Sequence, residues 1–335
     1  MMTYGLTPVS GTPGRLLKGN YAMKQVLVLG GSGMLGSMVS DLLSNDPGLS
    51  ITSTVRNNQL AQRWSKLVPT CRWVCFDAET DDIRGLLATA KYDAVINAIG
   101  IIKPYIKDDN RDQVERAIRV NALFPHTLAW AAATSGSRVL QIATDCVYSG
   151  REGNYREEAL QDALDVYGKT KSLGEVPASH VTHIRCSIIG PEPKGHVSLL
   201  DWFLGQPQGA TVTGFTNHLW NGVTTLHFAK ICSAIIKSGI AVPQKIHLVP
   251  TGDITKAEML ECFSRVYGRS DVTINHSEAA TVIDRTLQCS NPGLNQQIWQ
   301  AAGYAIPPTV PEMIAEMGRF EFRLFSLDRQ NMRPA

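Results

Sequence analysis

A tyrosine four residues ahead of a lysine, at the opening of a predicted helix, carries the most specific chemistry in this chain. Tyr167 and Lys171, in the run Tyr167-Gly168-Lys169-Thr170-Lys171, fall one turn apart on one helical face. A phenol beside an ammonium has a lowered pKa and can exchange a proton with a carbonyl near neutral pH. The same spacing also arises on ordinary solvated helices, so the pair acquires meaning only from what precedes it. Thr144, in Thr144-Asp145-Cys146-Val147-Tyr148, closes a predicted strand. Its hydroxyl can hydrogen-bond the carbonyl oxygen that Tyr167 would protonate. With Tyr167 and Lys171 a strand-loop-helix later, the three make a geometry that reduces a ketone.

Such a reduction needs a hydride source, and the first ordered segment provides a place for one. Gly30-Gly31-Ser32-Gly33-Met34-Leu35-Gly36 follows the apolar run Lys24 to Leu29 and opens a helical pattern. In that context Gly30 permits a tight turn, Gly33 lets the backbone approach a pyrophosphate, and Gly36 allows close helix packing. The helix opening at Gly33, Met34, Leu35 and Gly36 then offers its amides to the phosphate charge. Arg56 ends the second predicted strand, and no Asp or Glu occurs between Leu49 and Leu60. An acid there would hold the ribose 2′-hydroxyl of NAD, whereas an arginine suits a 2′-phosphate, so NADP(H) is favoured over NAD(H). Arg63 lies nearby; a solvated strand-end arginine is the other reading of Arg56. Asp77 ends the third strand, where its carboxylate either accepts from an adenine amino group or caps the following helix. Asn97-Ala98-Ile99-Gly100 ends the fourth, with Ala98, Ile99 and Gly100 small or flat enough for backbone to line a cofactor.

These residues must be positioned by strands alternating with helices. Strands are predicted at Lys24 to Leu29, Leu49 to Val55, Arg72 to Phe76, Ala94 to Asn97, Arg138 to Ala143 and His183 to Ser187. Their continuous apolar character suits a sheet covered on both faces, which makes the fold α/β, a Rossmann-like doubly wound parallel sheet. A helix from Tyr167 to about Ser179 is expected, and Asp109 to Thr134 reads as a helix interrupted at Pro125. Asn121, a poor helix former, points to a buried hydrogen-bonding role. Residues 23–188 read as the dinucleotide domain, with 222–250 returning to it. Residues 189–221 and 251–335 form a smaller, mixed substrate-binding region. Residues 1–22, rich in Gly, Pro, Ser and Thr, read as a disordered extension.

Composition excludes several classes. A formal charge of +2 gives no support to nucleic acid as a partner. No apolar run reaches the roughly 18 residues a membrane span requires. Seven scattered cysteines fit thiols in a reducing cytosol, and neither the Cys71/Cys75 pair nor His183, His196, His227 and His247 has metal-site spacing. A cytoplasmic location without membrane insertion follows as an expectation; a homodimer is left open.

The ordered set GGSGMLG, Asp77, NAIG, VNALFPHTLAWAA, ATDCVYSG, YGKTK and IRCSIIGP resembles the extended short-chain dehydrogenase/reductase superfamily. Within it, the chain resembles the dTDP-4-dehydrorhamnose reductase family, over roughly Met23 to Pro191 and more loosely at Gly222 to His227. The resemblance implies Thr144, Tyr167 and Lys171 as the catalytic triad and a nucleotide-sugar substrate with a keto group to be reduced by NADPH. It implies a role in cell-surface polysaccharide or glycoside precursor synthesis. Related dehydratases place an Asp-Glu pair after the threonine, whereas here the pair is Asp145-Cys146, which argues for reduction or epimerisation over loss of water. Asp145, Cys146, His218, Trp220 and Arg285 are the candidates for touching diphosphate, sugar or base; Asp284-Arg285 is alternatively an internal ion pair. Two other readings stand beside reduction: an NAD-dependent epimerase using the same triad, and a non-catalytic nucleotide-binding regulatory subunit.

Overall fold

Short apolar strands need cover on both faces, and the molecule supplies it with helices. The computed structural model describes residues 23–324. Met1 to Ala22, expected to be disordered, and the polar tail past residue 324 lie outside the described residues. The first half alternates regularly: β1 (Lys24–Leu29), α1 (Met34–Leu43), β2 (Leu49–Val55), α2 (Asn58–Leu67), β3 (Cys71–Cys75), α3 (Ile83–Ala88), β4 (Ala94–Asn97), α4 (Arg111–Ala117), α5 (Phe124–Ser135), β5 (Arg138–Ala143), α6 (Val166–Leu173) and β6 (Val181–Arg185). Beyond it the elements shorten: β7 (Ile188–Ile189), α7 (Leu199–Leu204), β8 (Thr211–Phe215), β9 (Leu219–Trp220), β10 (Val223–Thr224), α8 (Thr225–Ser238), β11 (Lys245–His247), β12 (Ile254–Thr255), α9 (Lys256–Tyr267), β13 (Thr273–Ser277), α10 (Pro292–Ala301) and α11 (Val310–Arg319).

Seven strands form one sheet in the order β11-β6-β5-β4-β1-β2-β3, and each recorded pairing is parallel. Successive residues of a strand face opposite sides, and both sides are buried. Val26, Val28, Ile96 and Leu140 enter the core shared with α1 and α8, whereas Leu27, Leu29, Val95 and Val139 enter the one shared with α5. The strand order reverses direction between β1 and β4, the position at which doubly wound sheets open a crevice at their carboxyl ends.

The late segments are tied back to this sheet by charge. Arg323 donates from Nε to Asp41 Oδ1 at 2.5 Å and from its backbone N to Oδ2 at 2.8 Å, closing the last described residues on α1. His227 and Lys230 of α8 both meet the Glu316 carboxylate of α11. Inside the sheet, Arg185 and Glu175 form a pair with 0% and 6% of their side chains exposed.

Three sequence expectations shift. The Asp109 to Thr134 helix carries a π-helical segment over Ile118–Leu123 between α4 and α5. Pro125 has no N–H to give the Asn121 carbonyl four residues earlier, which loosens the ladder there. The end of α6 presses against that carbonyl so closely that a Cβ on Gly174 would lie 2.0 Å from it, so α6 stops at Leu173, short of Ser179. The strand expected at His183 to Ser187 runs over Val181–Arg185, because its register with β5 starts at Val139 opposite Val181. Ser187 is left free of the strand, and its Oγ donates to Asp145.

Candidate active site

One cavity of about 950 Å³ opens at the carboxyl ends of β1, β2, β4 and β5. Its first wall is backbone. Gly30 turns with φ +82°, and its N–H donates to Thr54 Oγ1 at 2.9 Å while Gly31 N–H donates to Thr54 O at 2.8 Å. A Cβ at Gly36 would lie 2.2 Å from the Gly30 carbonyl oxygen, so α1 can leave the turn at this angle only with glycine there. Gly30, Gly33, Met34 and Leu35 line the cavity; Gly36 stands behind them as packing. A turn whose Cβ positions at Gly30, Gly31 and Gly36 are already taken by neighbouring atoms, with a helix opening behind it, fits a dinucleotide pyrophosphate.

Arg56, Asp77, Ala98, Ile99 and Gly100 line the adjoining stretch. Asp77 also accepts from the Glu79 N–H at 3.0 Å; α3 is capped by Asp82, not by Asp77. Asn121 does not reach the cavity. It brackets the backbone of Ile101, accepting from its N–H at 2.8 Å and donating to its carbonyl at 2.9 Å, and so holds the loop after β4 against α6.

The opposite wall carries the reactive side chains. Asp165 caps α6 by accepting from Gly168 N–H at 2.7 Å, which starts the helix at Val166 and brings Tyr167 and Lys171 to the cavity. Thr144 stands beside Tyr167, and its hydroxyl acts to lower the pKa of the phenol. Thr144 Oγ1 also accepts from Cys146 N–H at 3.1 Å and lies 3.2 Å from Asp145 Oδ1. Lys171 Nζ donates to the Ile142 carbonyl at 3.0 Å and sits beside Gly100, on the cofactor side.

The electrostatics correct one expectation. The Tyr167 phenol lies above a tyrosine's ordinary pKa, not below it: burial dominates, Cys146 and Asp145 add to it, and the Thr144 hydroxyl pulls back only part of the way. The Lys171 ammonium donates to the Ile142 carbonyl. Burial lowers Lys171 itself to about 8, with Glu175 pulling in the other direction. The Cys146 thiol is pushed up to about 12 by burial, with Asp145 next, so it is protonated at neutral pH.

The substrate candidates divide. Asp145, Cys146 and Trp220 line the cavity. His218 and Arg285 do not. His218 Nε2 meets the Thr281 carbonyl at 3.0 Å, and Arg285 Nε donates to the Tyr148 carbonyl at 2.8 Å, so both fasten the 281–285 stretch to neighbouring backbone. Asp284 accepts from Thr286 N–H and Oγ1, so the alternative of an Asp284–Arg285 ion pair does not describe it either. Two lysines that sequence reasoning passed over do line the cavity. Lys256 places Nζ 5.4 Å from the Trp220 ring centroid and is lowered to about 8 by burial, with Asp145 and Cys146 opposing. Lys194 reaches from the loop after β7 and donates to Ser32 Oγ at 3.0 Å. A Pro-Gly-bounded lysine in Glu192-Pro193-Lys194-Gly195 was a loop signal, but nothing local says which way the loop folds. Among the described residues no helix is long and apolar enough to cross a membrane, and no group of three metal-ligating side chains occurs.

Residues 23–189 match the model of the RmlD substrate binding domain. The chain is 30% identical to a dTDP-4-dehydrorhamnose reductase of Aggregatibacter actinomycetemcomitans over 155 residues, 46% of each protein. It is also 30% identical to methionine adenosyltransferase 2 subunit beta of Xenopus tropicalis, over 98 residues covering 29% of this chain and 28% of that one. A solved dTDP-4-dehydrorhamnose reductase of Bacillus anthracis, in complex with NADP, superposes with a TM-score of 0.64 over 88% of this chain and 98% of its own at 16% identity, a likeness of fold. The chain spans less than half the length of the curated relatives it matches. Glycine turn, strand-end threonine and Tyr-Lys helix all fall within the matched stretch, and through residues 23–189 this chain belongs to the dTDP-4-dehydrorhamnose reductase-like family of extended short-chain dehydrogenases/reductases.

Proposed function

We propose that this chain reduces a keto group on a nucleotide-activated deoxysugar, with NADP(H) favoured over NAD(H), in making a precursor of cell-surface polysaccharide or glycoside. The observation that carries this reading is that Thr144, Tyr167 and Lys171 face the same cavity as the glycine turn. A bound reduced nicotinamide dinucleotide would supply the hydride. The glycine turn and the opening of α1 would hold its pyrophosphate, Arg56 would face a 2′-phosphate, and Gly100 with Lys171 would border the nicotinamide ribose.

Tyr167 is the proton donor in this reading. A phenol raised by burial stays protonated at neutral pH, which suits giving a proton to a developing alkoxide and opposes starting as a phenolate. Thr144, beside Tyr167 on the cavity wall, orients the carbonyl through its own hydroxyl. The Lys171 ammonium lends positive charge as the alkoxide forms. Trp220 and Lys256 face the substrate end as a ring and a cation. Asp145, fixed by Ser187 Oγ at 2.7 Å, completes that wall.

A second reading is a nucleotide-binding regulatory subunit without turnover; the chain's similarity to a protein named as a subunit, methionine adenosyltransferase 2 subunit beta, is the observation on its side. The presence together of Thr144, Tyr167 and Lys171 counts against it, since binding alone needs no proton donor. Incubation with NADPH carrying deuterium at both C4 positions and with dTDP-4-dehydrorhamnose, the sugar nucleotide in the relatives' name, separates the readings. Reduction places one deuterium in the sugar product, whereas unlabelled sugar with undiminished NADPH across a panel of keto-sugar nucleotides would contradict it.

A further inference from the structure

Lys194 reaches across the mouth of the cavity to the glycine turn, 162 positions away in sequence from the Ser32 hydroxyl it meets. The loop that carries it is built to hold it there. The Glu192 carboxylate accepts from Val197 N–H at 2.7 Å and Ser198 N–H at 3.2 Å, while Glu192 N–H donates to Asp201 Oδ2 at 2.7 Å. Gly195 and His196 both take positive φ, +89° and +50°, so the chain doubles back immediately after Lys194. Stapled at its base and folded at its tip, the loop aims the ammonium into the cavity.

That ammonium is directed toward positive charge. Arg56 lines the same cavity and is the neighbouring charge that acts on Lys194, whose pKa is lowered by burial first and by Arg56 second. Among the described residues no carboxylate pairs with either cation. Two cations that line one cavity at a phosphate-type turn, one of them donating to the Ser32 hydroxyl, lack a counter-anion. We propose that Lys194 is a phosphate-binding residue of the cofactor site, supplied by the substrate-side loop and closing over the glycine turn, where it and Arg56 share a phosphate oxyanion of the dinucleotide. This rests on the dinucleotide reading above. It adds a determinant of cofactor affinity that neither the glycine turn nor the end of β2 contains. It also makes the wall formed by Glu192, Gly195 and Ser198 part of the cofactor site.

The test is titration of the full chain, its Lys194→Met variant and its Lys194→Arg variant with NADPH and with NADH by isothermal calorimetry, at low and moderate salt. Lys194→Met is expected to weaken NADPH binding roughly tenfold or more and to flatten its salt dependence, with Lys194→Arg staying within about threefold. Loss confined to NADPH identifies the 2′-phosphate as the partner; equal loss for NADH identifies the pyrophosphate. Lys194→Met binding both nucleotides like the unaltered chain overturns this inference alone. Failure of the unaltered chain to bind either nucleotide overturns the dinucleotide reading and this inference with it. Retention of the thermal midpoint in both variants confirms that binding, not folding, has been read.

Discussion

The two ends of the cavity are made in different ways. The glycine-turn end is backbone, fixed before any ligand arrives: Gly30 is bonded to Thr54, and Gly36 is wedged under the Gly30 carbonyl. The Tyr167 end is side chains, and its charges are in waiting: Lys171 is turned to the Ile142 carbonyl and the Tyr167 phenol is held protonated. One end is set by shape and tolerates almost no added atom. The other is set by burial, and its groups take up their final protonation and contacts only against a substrate and cofactor. Substitutions at the two ends should therefore fail differently, the first by losing fold and binding together, the second by losing turnover with fold retained.

The largest effect on binding is expected at the shape-defined end. Gly36→Val puts a branched side chain against backbone that cannot yield, so dinucleotide binding should disappear and urea midpoints fall by an amount corresponding to about 3 kcal/mol. A bound, stable Gly36→Val protein would break the contrast. Glu175→Gln probes the support beneath the other end. It removes the partner of a fully buried Arg185, and a loss of about 3–5 kcal/mol of stability in urea is expected.

Lys171→Met should show the opposite sign. The folded-state pKa of Lys171 is about 8 against an ordinary 10.5, so the folded protein binds fewer protons than the unfolded chain between those values. Stability from this group therefore rises as pH climbs from about 8 to about 10.5, and at pH 7 the buried ammonium is a net cost. Replacing it should raise the melting temperature at pH 7 by on the order of a few degrees, and abolish turnover. A lower melting temperature at pH 7 would show that Lys171 stabilises the fold. In the unaltered protein, turnover that needs the ammonium should decline as pH rises through about 8. The smallest change is expected at Cys146. Its thiol is protonated up to about 12 and has no proton to trade at neutral pH, so Cys146→Ser should alter turnover by no more than about threefold.

The same contrast explains what could be read from the chain. The turn-and-helix at residues 30–36 is legible because its requirements are local: where glycines fall relative to a strand end decides them. Tyr167, Lys171 and Thr144 were legible as residues for the same reason, each sitting at the end of an element that periodicity reveals. The direction of the Tyr167 shift was not, because it depends on Cys146, Asp145 and the depth of burial, none of which is a matter of helical spacing. His218 and Arg285 looked like ligands because a histidine and an arginine in irregular sequence resemble binding groups; their partners, Thr281 O and Tyr148 O, lie 63 and 137 positions away. Lys194 likewise reaches the cavity only through the fold, its Ser32 partner lying 162 positions away. By contrast α10 did carry a start signal: Asn291 before Pro292, with the Asn291 side chain accepting from Leu294 N–H at 3.0 Å.

Tyr167 as proton donor is the centre of this account, and the comparison that tests it most directly is turnover of a keto-deoxysugar nucleotide by the unaltered chain and by Tyr167→Phe, each saturated with NADPH. Tyr167→Phe is expected to bind NADPH normally and to lose on the order of 10²–10⁴-fold in turnover. Near-normal NADPH oxidation by that variant would contradict the account.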